Sequence, residues 1–129
     1  MATRQREKSA ARIANRDTRP FATAKYVRIT PTKVRIILDL IRGKDYSDAE
    51  AILEYNASPA AKTILNVLRS AGANAENNNG LNKSELYVAE TFADGGPTLK
   101  RNQPVSKGRA HSILKRTCHI TVKLDVKKA

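Results

Sequence analysis

The spacing of apolar positions between residues 30 and 80 predicts three helices. The first begins after Thr30, with proline at its first position, and ends at Gly43. The second is expected after positions 47–50, which have the spacing of a capping box, and the third after Ser58 and a second proline. The second helix would contain Ile52 and Leu53. Apolar residues three and four positions apart are expected on the buried faces of the first and third helices: Val34, Ile37, Leu38 and Ile41, then Ala61, Ile64, Leu65 and Leu68.

Alternation with period two predicts strands in three other segments. Residues 24–29 place Val27 and Ile29 on one face and Tyr26 and Arg28 on the other. Residues 86–92 and 118–124 also alternate, and we expect them to pair as strands. The second of these has four apolar residues on one face: Cys118, Ile120, Val122 and Leu124.

Two segments have more than one interpretation. Residues 70–80 read SAGANAENNNG, where small side chains allow another element to approach closely or the helix simply frays towards its glycine. Residues 95–111 read GGPTLKRNQPVSKGRAH, and no acidic residue occurs from 95 to 124. A connector of this length is either a flexible loop or an extended hairpin held by a partner.

The charge pattern indicates a polyanionic partner. The 129 residues include 24 Lys and Arg against 12 Asp and Glu, giving +12 and a pI of 10.2. Residues 1–44 carry 12 basic and 3 acidic side chains, 45–94 carry 3 and 8, and 95–129 carry 9 and 1. Two basic ends around an acidic middle form either two binding faces or two solvated tails. We expect residues 1–20 to be a basic, disordered arm that orders on RNA.

Other chemistry has little support in the sequence. Cys118 is the single cysteine, and its neighbour His119 would point to the opposite face of a strand. His111 lacks the acid and cleft of a catalytic triad, and two histidines with one cysteine do not make a zinc site. We expect no metal, no cofactor and no catalysis. With no Trp, two Phe, no apolar run near 20 residues and no signal peptide, we expect a cytosolic protein that is neither secreted nor bound to a membrane.

Five motifs in order then resemble a known family. They are AKYVRITPTKVR, DLIRGK, SAGANAENNNGL, GPTLKR and KGRAHSILKRTCHITV, within residues 22–126. This pattern is similar to the bacterial-type large-subunit ribosomal protein L-twenty-two family. The resemblance implies an α+β fold in one domain, residues 21–129, with three helices packed on a small antiparallel three-stranded sheet. A long extended β-hairpin is expected at about residues 86–124.

The resemblance also implies a structural, non-catalytic function in the large subunit. The body would lie near the mouth of the peptide exit tunnel and contact several domains of the large-subunit ribosomal RNA. The hairpin would line the tunnel, so the expected partners are that RNA, neighbouring ribosomal proteins and the nascent peptide.

Resemblance and charge together predict individual contacts. The tip departs from the family pattern at Val105 and Ser106, and Tyr26 is either a base-stacking or a cross-strand packing residue. The predicted RNA-binding residues are Lys25, Tyr26, Arg28, Lys33, Arg35, Arg42, Lys44, Lys100, Arg101, Lys107, Arg109, Lys115, Arg116 and His119. The predicted hairpin tip on the tunnel wall is Lys100, Arg101, Asn102, Gln103, Pro104, Val105, Ser106, Lys107 and Gly108.

Two other functions are compatible with parts of this pattern. A protein that bends duplex DNA would share the charge and the basic hairpin, but such proteins insert apolar wedges, and Val105 is the one aliphatic side chain near the tip proline. Comparable affinity for duplex DNA and structured RNA would favour it. An enzyme would require an activity that disappears when His111 or His119 is changed.

Overall fold

Three helices and a three-stranded sheet form the body of the protein. The computed structural model describes residues 2–127 and has an α+β fold, as expected. The helices are α1 (Ala2–Ala14), α2 (Pro31–Ile41), α3 (Tyr46–Tyr55) and α4 (Pro59–Asn79), and the strands are β1 (Phe21–Val27), β2 (Leu86–Gly95), β3 (Leu99–Pro104), β4 (Ala110–Lys115) and β5 (Cys118–Val126). The sheet is antiparallel in the order β1-β5-β2. No helix in residues 2–127 is both long and apolar enough to cross a bilayer.

The core lies between one face of this sheet and helices α2, α3 and α4. In β5 the four alternating residues that the sequence indicated, from Cys118 to Leu124, are fully buried. The apolar stripe of α2 and the stripe of α4 face them and are buried as predicted. Burial of each large aliphatic side chain stabilises the fold by about 1.5–3 kcal/mol. The body is therefore held by an ordinary apolar core.

The small residues of α4 serve close packing. The helix continues to Asn79 and ends at Gly80, which is left-handed with φ 64°. A Cβ atom at Gly72 would lie 2.8 Å from the ring of Tyr46, at the start of α3. Of the two interpretations of residues 70–80, close approach is confirmed, and fraying is wrong.

The start of α3 differs from its prediction. Asp45 is the N-cap residue, no side chain caps the helix, and Glu50 pairs with Arg69 at 2.7 Å, so the predicted capping box is wrong. The reason is a long-range contact. The backbone N–H of Val88 donates to the carbonyl of Lys44 at 2.9 Å, which attaches the chain to β2 just before the helix begins.

Strand β1 begins three residues earlier than predicted and ends two residues earlier. Its register with β5 shifts between Ala24 and Val27, because Tyr26 adopts a left-handed φ of 57° and adds a residue to the strand. The predicted faces are nevertheless confirmed. Val27 and Ile29 pack against the core, whereas Tyr26 and Arg28 are exposed.

The N-terminal segment contains a helix where the sequence analysis expected disorder. Helix α1 consists almost entirely of residues that favour helices, and it has no Gly or Pro. Its side chains from residue 3 to residue 14 are exposed, so packing does not explain it. The expectation that this arm becomes ordered on RNA stays a prediction.

The connector between β2 and β5 forms an extended hairpin. Strands β3 and β4 pair as a separate two-stranded ribbon that continues the pairing of β2 with β5. At the junction, the N–H of Gly96 donates to the carbonyl of Thr117 at 2.9 Å, and the hydroxyl of Thr117 donates to the carbonyl of Pro97 at 2.7 Å. A Cβ at Gly96 would lie 2.5 Å from that hydroxyl oxygen, so the close approach requires glycine.

Candidate nucleic-acid interface

The β3–β4 ribbon exposes both of its faces. Every residue from Lys100 to Ser112 is exposed, and the partly buried exceptions nearby are Leu99 and Ile113. Across the strands Lys100 pairs with Leu114. A two-stranded ribbon without a core of its own is marginally stable in water. Since no carboxylate offsets its charge, the ribbon is suited to being held by a polyanion.

The turn of the ribbon presents two cations at its end. The N–H of Val105 donates to the carbonyl of Arg109 at 2.9 Å, and Lys107 and Gly108 are both left-handed, with φ 58° and 67°. A left-handed conformation costs a non-glycine residue about 1–2 kcal/mol. Lys107 and Arg109 are exposed in this turn.

A groove at the base of the ribbon brings four predicted residues together. It has a volume of about 440 Å³ and contains Arg28 from the end of β1, Arg101 from β3, and Lys115 and Arg116 from the end of β4. No acidic residue lines it. Its remaining lining residues are Thr30, Leu99 and Leu114. The two leucines were not predicted as site residues, although isolated leucines in a polar ribbon are a signal for a partly apolar groove.

Tyr26 and His119 contact each other across the β1–β5 pair. The backbone N–H of Tyr26 donates to Nδ1 of His119 at 2.9 Å, and the two rings meet edge to face with centroids 4.9 Å apart. Tyr26 is thus a cross-strand packing partner, but 63% of it remains exposed. Because Nδ1 accepts a hydrogen bond, Nε2 carries the proton and is a donor.

Two predicted arginines support the edge of the sheet. Arg35 donates to the carbonyl of Ala93 at 2.8 Å and 3.1 Å, and Arg42 donates to the carbonyl of Thr91 at 2.9 Å. Arg42 also pairs with Asp39. Both side chains thus tie α2 to the outer strand β2.

The other predicted cations of the body remain open to solvent. Lys25, Lys33 and Lys44 are exposed, and none of them forms an ion pair within residues 2–127.

An ion-pair network that the sequence analysis missed lies where the N-terminal arm meets the body. Arg19 contacts Asp17 at 2.8 Å and Glu90 at 2.7 Å, and Lys123 contacts the same carboxylates at 3.0 Å and 3.1 Å. Hydrogen bonds from Arg19, and then from Lys123, hold the pKa of both carboxyl groups below their usual range. Two of these pairs, Arg19 with Glu90 and Lys123 with Asp17, join residues more than 70 positions apart, which no local pattern reveals.

The described residues offer no support for catalytic or metal chemistry. Burial raises the pKa of the Cys118 thiol, which disfavours the reactive thiolate, and His119 lies on the opposite face of the strand. Residues 2–127 contain no group of three His, Cys, Asp or Glu side chains able to hold a metal ion.

Comparison with known proteins identifies the family. The family described as "Ribosomal protein L22p/L17e" matches residues 22–125, which include the body and the whole hairpin. The chain belongs to this ribosomal protein family. As a member, it is a structural component of the ribosome and not an enzyme.

Individual relatives agree with this assignment. Over 101 residues, or 78% of this chain, it is 57% identical to the "Large ribosomal subunit protein uL22" of Clostridium novyi, covering 91% of that protein. The chain is 59% identical to the protein of the same name from Clostridium acetobutylicum, and the match covers 78% of this chain and 91% of that protein. The chain is 55% identical to the "Large ribosomal subunit protein uL22c" of Porphyra purpurea, and the match covers 78% of this chain and 87% of that protein. The family match begins after β1 has started, so α1 lies outside it.

Proposed function

We propose that this protein is a structural constituent of the large ribosomal subunit that binds several domains of its ribosomal RNA. The observation that carries the proposal is the β3–β4 ribbon, which has two exposed faces, no core and no acidic residue. Folded RNA supplies the phosphates that neutralise such a ribbon and the walls that keep it extended.

The groove at the base of the ribbon supplies the second part of the interface. Arg28, Arg101 and Arg116 offer planar guanidinium groups, which pair with two phosphate oxygens at once. Leu99 and Leu114 provide an apolar floor for ribose or base edges. Since the groove joins the body to the ribbon, RNA bound in it fixes the direction in which the ribbon projects.

A sedimentation experiment tests this proposal. The variant Arg101→Gln with Lys115→Gln removes two charges from the groove, whereas Lys62→Gln with Lys83→Gln removes two charges that do not line it. Tagged chains are expressed in cells and followed across a sucrose gradient. We expect the groove variant to shift from the large subunit to the free pool and the control variant to remain bound. Equal sedimentation of the two variants would contradict the proposed interface.

We further propose that the hairpin tip, residues 100–108, lines the peptide exit tunnel and contacts the nascent peptide. The tip closes the far end of the β3–β4 ribbon, and Val105 is exposed at its turn. A photo-crosslinker at Val105 should therefore capture the nascent chain on stalled ribosomes. The same group at Tyr55, which is 91% exposed on the body, should not. Capture from Tyr55 alone would reject the tunnel position.

A further inference from the structure

Helix α1 carries a row of cations that the rest of the described protein does not neutralise. Arg4, Lys8 and Arg12 are four residues apart, so they project from one side of the helix along about 12 Å of its axis. All three are exposed, and none forms an ion pair with an acidic residue in residues 2–127. Like charges at this spacing destabilise a helix unless an anion lies against them.

The arm is attached to the body at a fixed point. The network of Asp17, Arg19, Glu90 and Lys123 holds the residues just before β1, and the N–H of Leu124 donates to the carbonyl of residue 20 at 2.9 Å. These contacts make the arm leave the sheet at a defined place.

That place is remote from the hairpin. In the β1–β5 pair, Phe21 lies opposite Lys123, whereas Val27 lies opposite Cys118, where the hairpin begins. Six strand steps separate the two points, which is about 20 Å. The arm and the hairpin therefore leave opposite ends of the sheet.

We propose that the cationic row of α1 binds the phosphate backbone of a segment of large-subunit ribosomal RNA that differs from the segment held by the hairpin. The inference rests on the proposed function and adds a binding site outside the region that the family shares. The two guanidinium groups and the one ammonium group of this row can each donate charge-assisted hydrogen bonds to phosphate oxygens of an RNA strand.

The composition of α1 favours RNA over a protein or a membrane as its partner. Protein interfaces have a core of aromatic or large aliphatic side chains, and Ile13 is the one such residue in the helix. A helix that lies in a membrane surface needs several Trp, Phe or Leu residues on one side. The remaining positions are small or polar, so phosphates are the chemistry that this helix can recognise.

A salt titration measures the phosphate contacts of α1. The variant Arg4→Gln, Lys8→Gln, Arg12→Gln keeps helix-forming residues, and its binding to deproteinised large-subunit ribosomal RNA is compared with that of the parent chain. The slope of log K against log salt should fall in magnitude by about 2–3. The Lys62→Gln, Lys83→Gln control should keep the parental slope. A parental slope in the triple variant would overturn the inference.

Crosslinking in intact particles identifies the partner. With a photo-crosslinker at Ser9 in α1 or at Ser106 in the hairpin, we expect both positions to crosslink to ribosomal RNA, in different segments. Crosslinks from Ser9 to a protein, to lipid, to the same RNA segment or to nothing would overturn the inference. If Ser106 crosslinks to RNA while Ser9 does not, only the α1 site fails; if neither does, the proposed function fails as well.

Discussion

Because Gly72 packs closely against Tyr46, we expect that replacing this glycine by alanine destabilises the protein, although the same change inside most helices is stabilising. Replacing glycine by alanine inside a helix ordinarily stabilises a protein by about 0.5–1 kcal/mol. Here the new methyl group would lie 2.8–2.9 Å from two ring carbons and the hydroxyl oxygen of Tyr46, a residue that is only 5% exposed. Overpacking of this kind costs about 1–3 kcal/mol. We therefore expect Gly72→Ala to destabilise the protein by about 1–2 kcal/mol and to lower its Tm by roughly 4–8 °C.

A double-mutant cycle identifies the cause. Thermal unfolding is followed by circular dichroism for Gly72→Ala, Tyr46→Leu and the two combined. Because leucine removes the ring atoms that the new methyl group meets, Gly72→Ala should cost about 1 kcal/mol less in the Tyr46→Leu background. Ser70→Ala, an exposed change in the same helix, should shift the Tm by less than about 2 °C. A raised Tm for Gly72→Ala, or an equal cost in both backgrounds, would refute the reasoning.

Three further outcomes follow from the structure. Arg19→Gln should raise the pKa of Asp17 and Glu90 towards their ordinary 3.8 and 4.5 in a carboxyl NMR titration; unchanged values would show that the network is absent in solution. Because both pKa values are lowered by folding, the stability that Arg19 supplies is present above about pH 4.5 and is lost as the pH falls. Burial raises the pKa of Tyr46 above 10.0, so the stability linked to its neutral hydroxyl is retained below pH 10 and lost as the pH rises further. The Tyr46→Phe variant should therefore lose less stability than the parent protein between pH 9 and 11. An equal loss in the two proteins would contradict this. Gly108 has a left-handed φ of 67°, so Gly108→Ala should destabilise the hairpin turn by about 1 kcal/mol. In NMR spectra the amide signals of the turn should broaden while those of the core stay the same. Unchanged turn signals would show that alanine is not strained there.

The sequence predicted those parts of the fold that depend on local periodicity. Alternation in β5 identified its buried face because side chains in a strand have a period of two, and Thr30 with a following proline identified the start of α2. The extra residue at Tyr26 was missed because the apolar pattern on either side of it looks regular. The start of α3 was missed because a backbone contact with Val88, far along the chain, determines it.

Prediction of the candidate interface was limited in the same way. Charge identified the exposed lysines and arginines of the hairpin, since no local partner competes for them. It did not distinguish Arg35 and Arg42, whose guanidinium groups bind carbonyls of the sheet edge, because that depends on how α2 packs against β2. The groove at the base of the ribbon could not be predicted for the same reason, as its residues come from β3, from β4 and from the segments that follow β1 and β4.

A cryo-EM map of large ribosomal subunits carrying this chain would test the central claim most directly. We predict that ribosomal RNA surrounds the ribbon from Leu99 to Lys115 on both faces and that phosphates occupy the groove beside Arg28 and Arg116. A ribbon that projects into solvent, or subunits that lack the chain altogether, would contradict it.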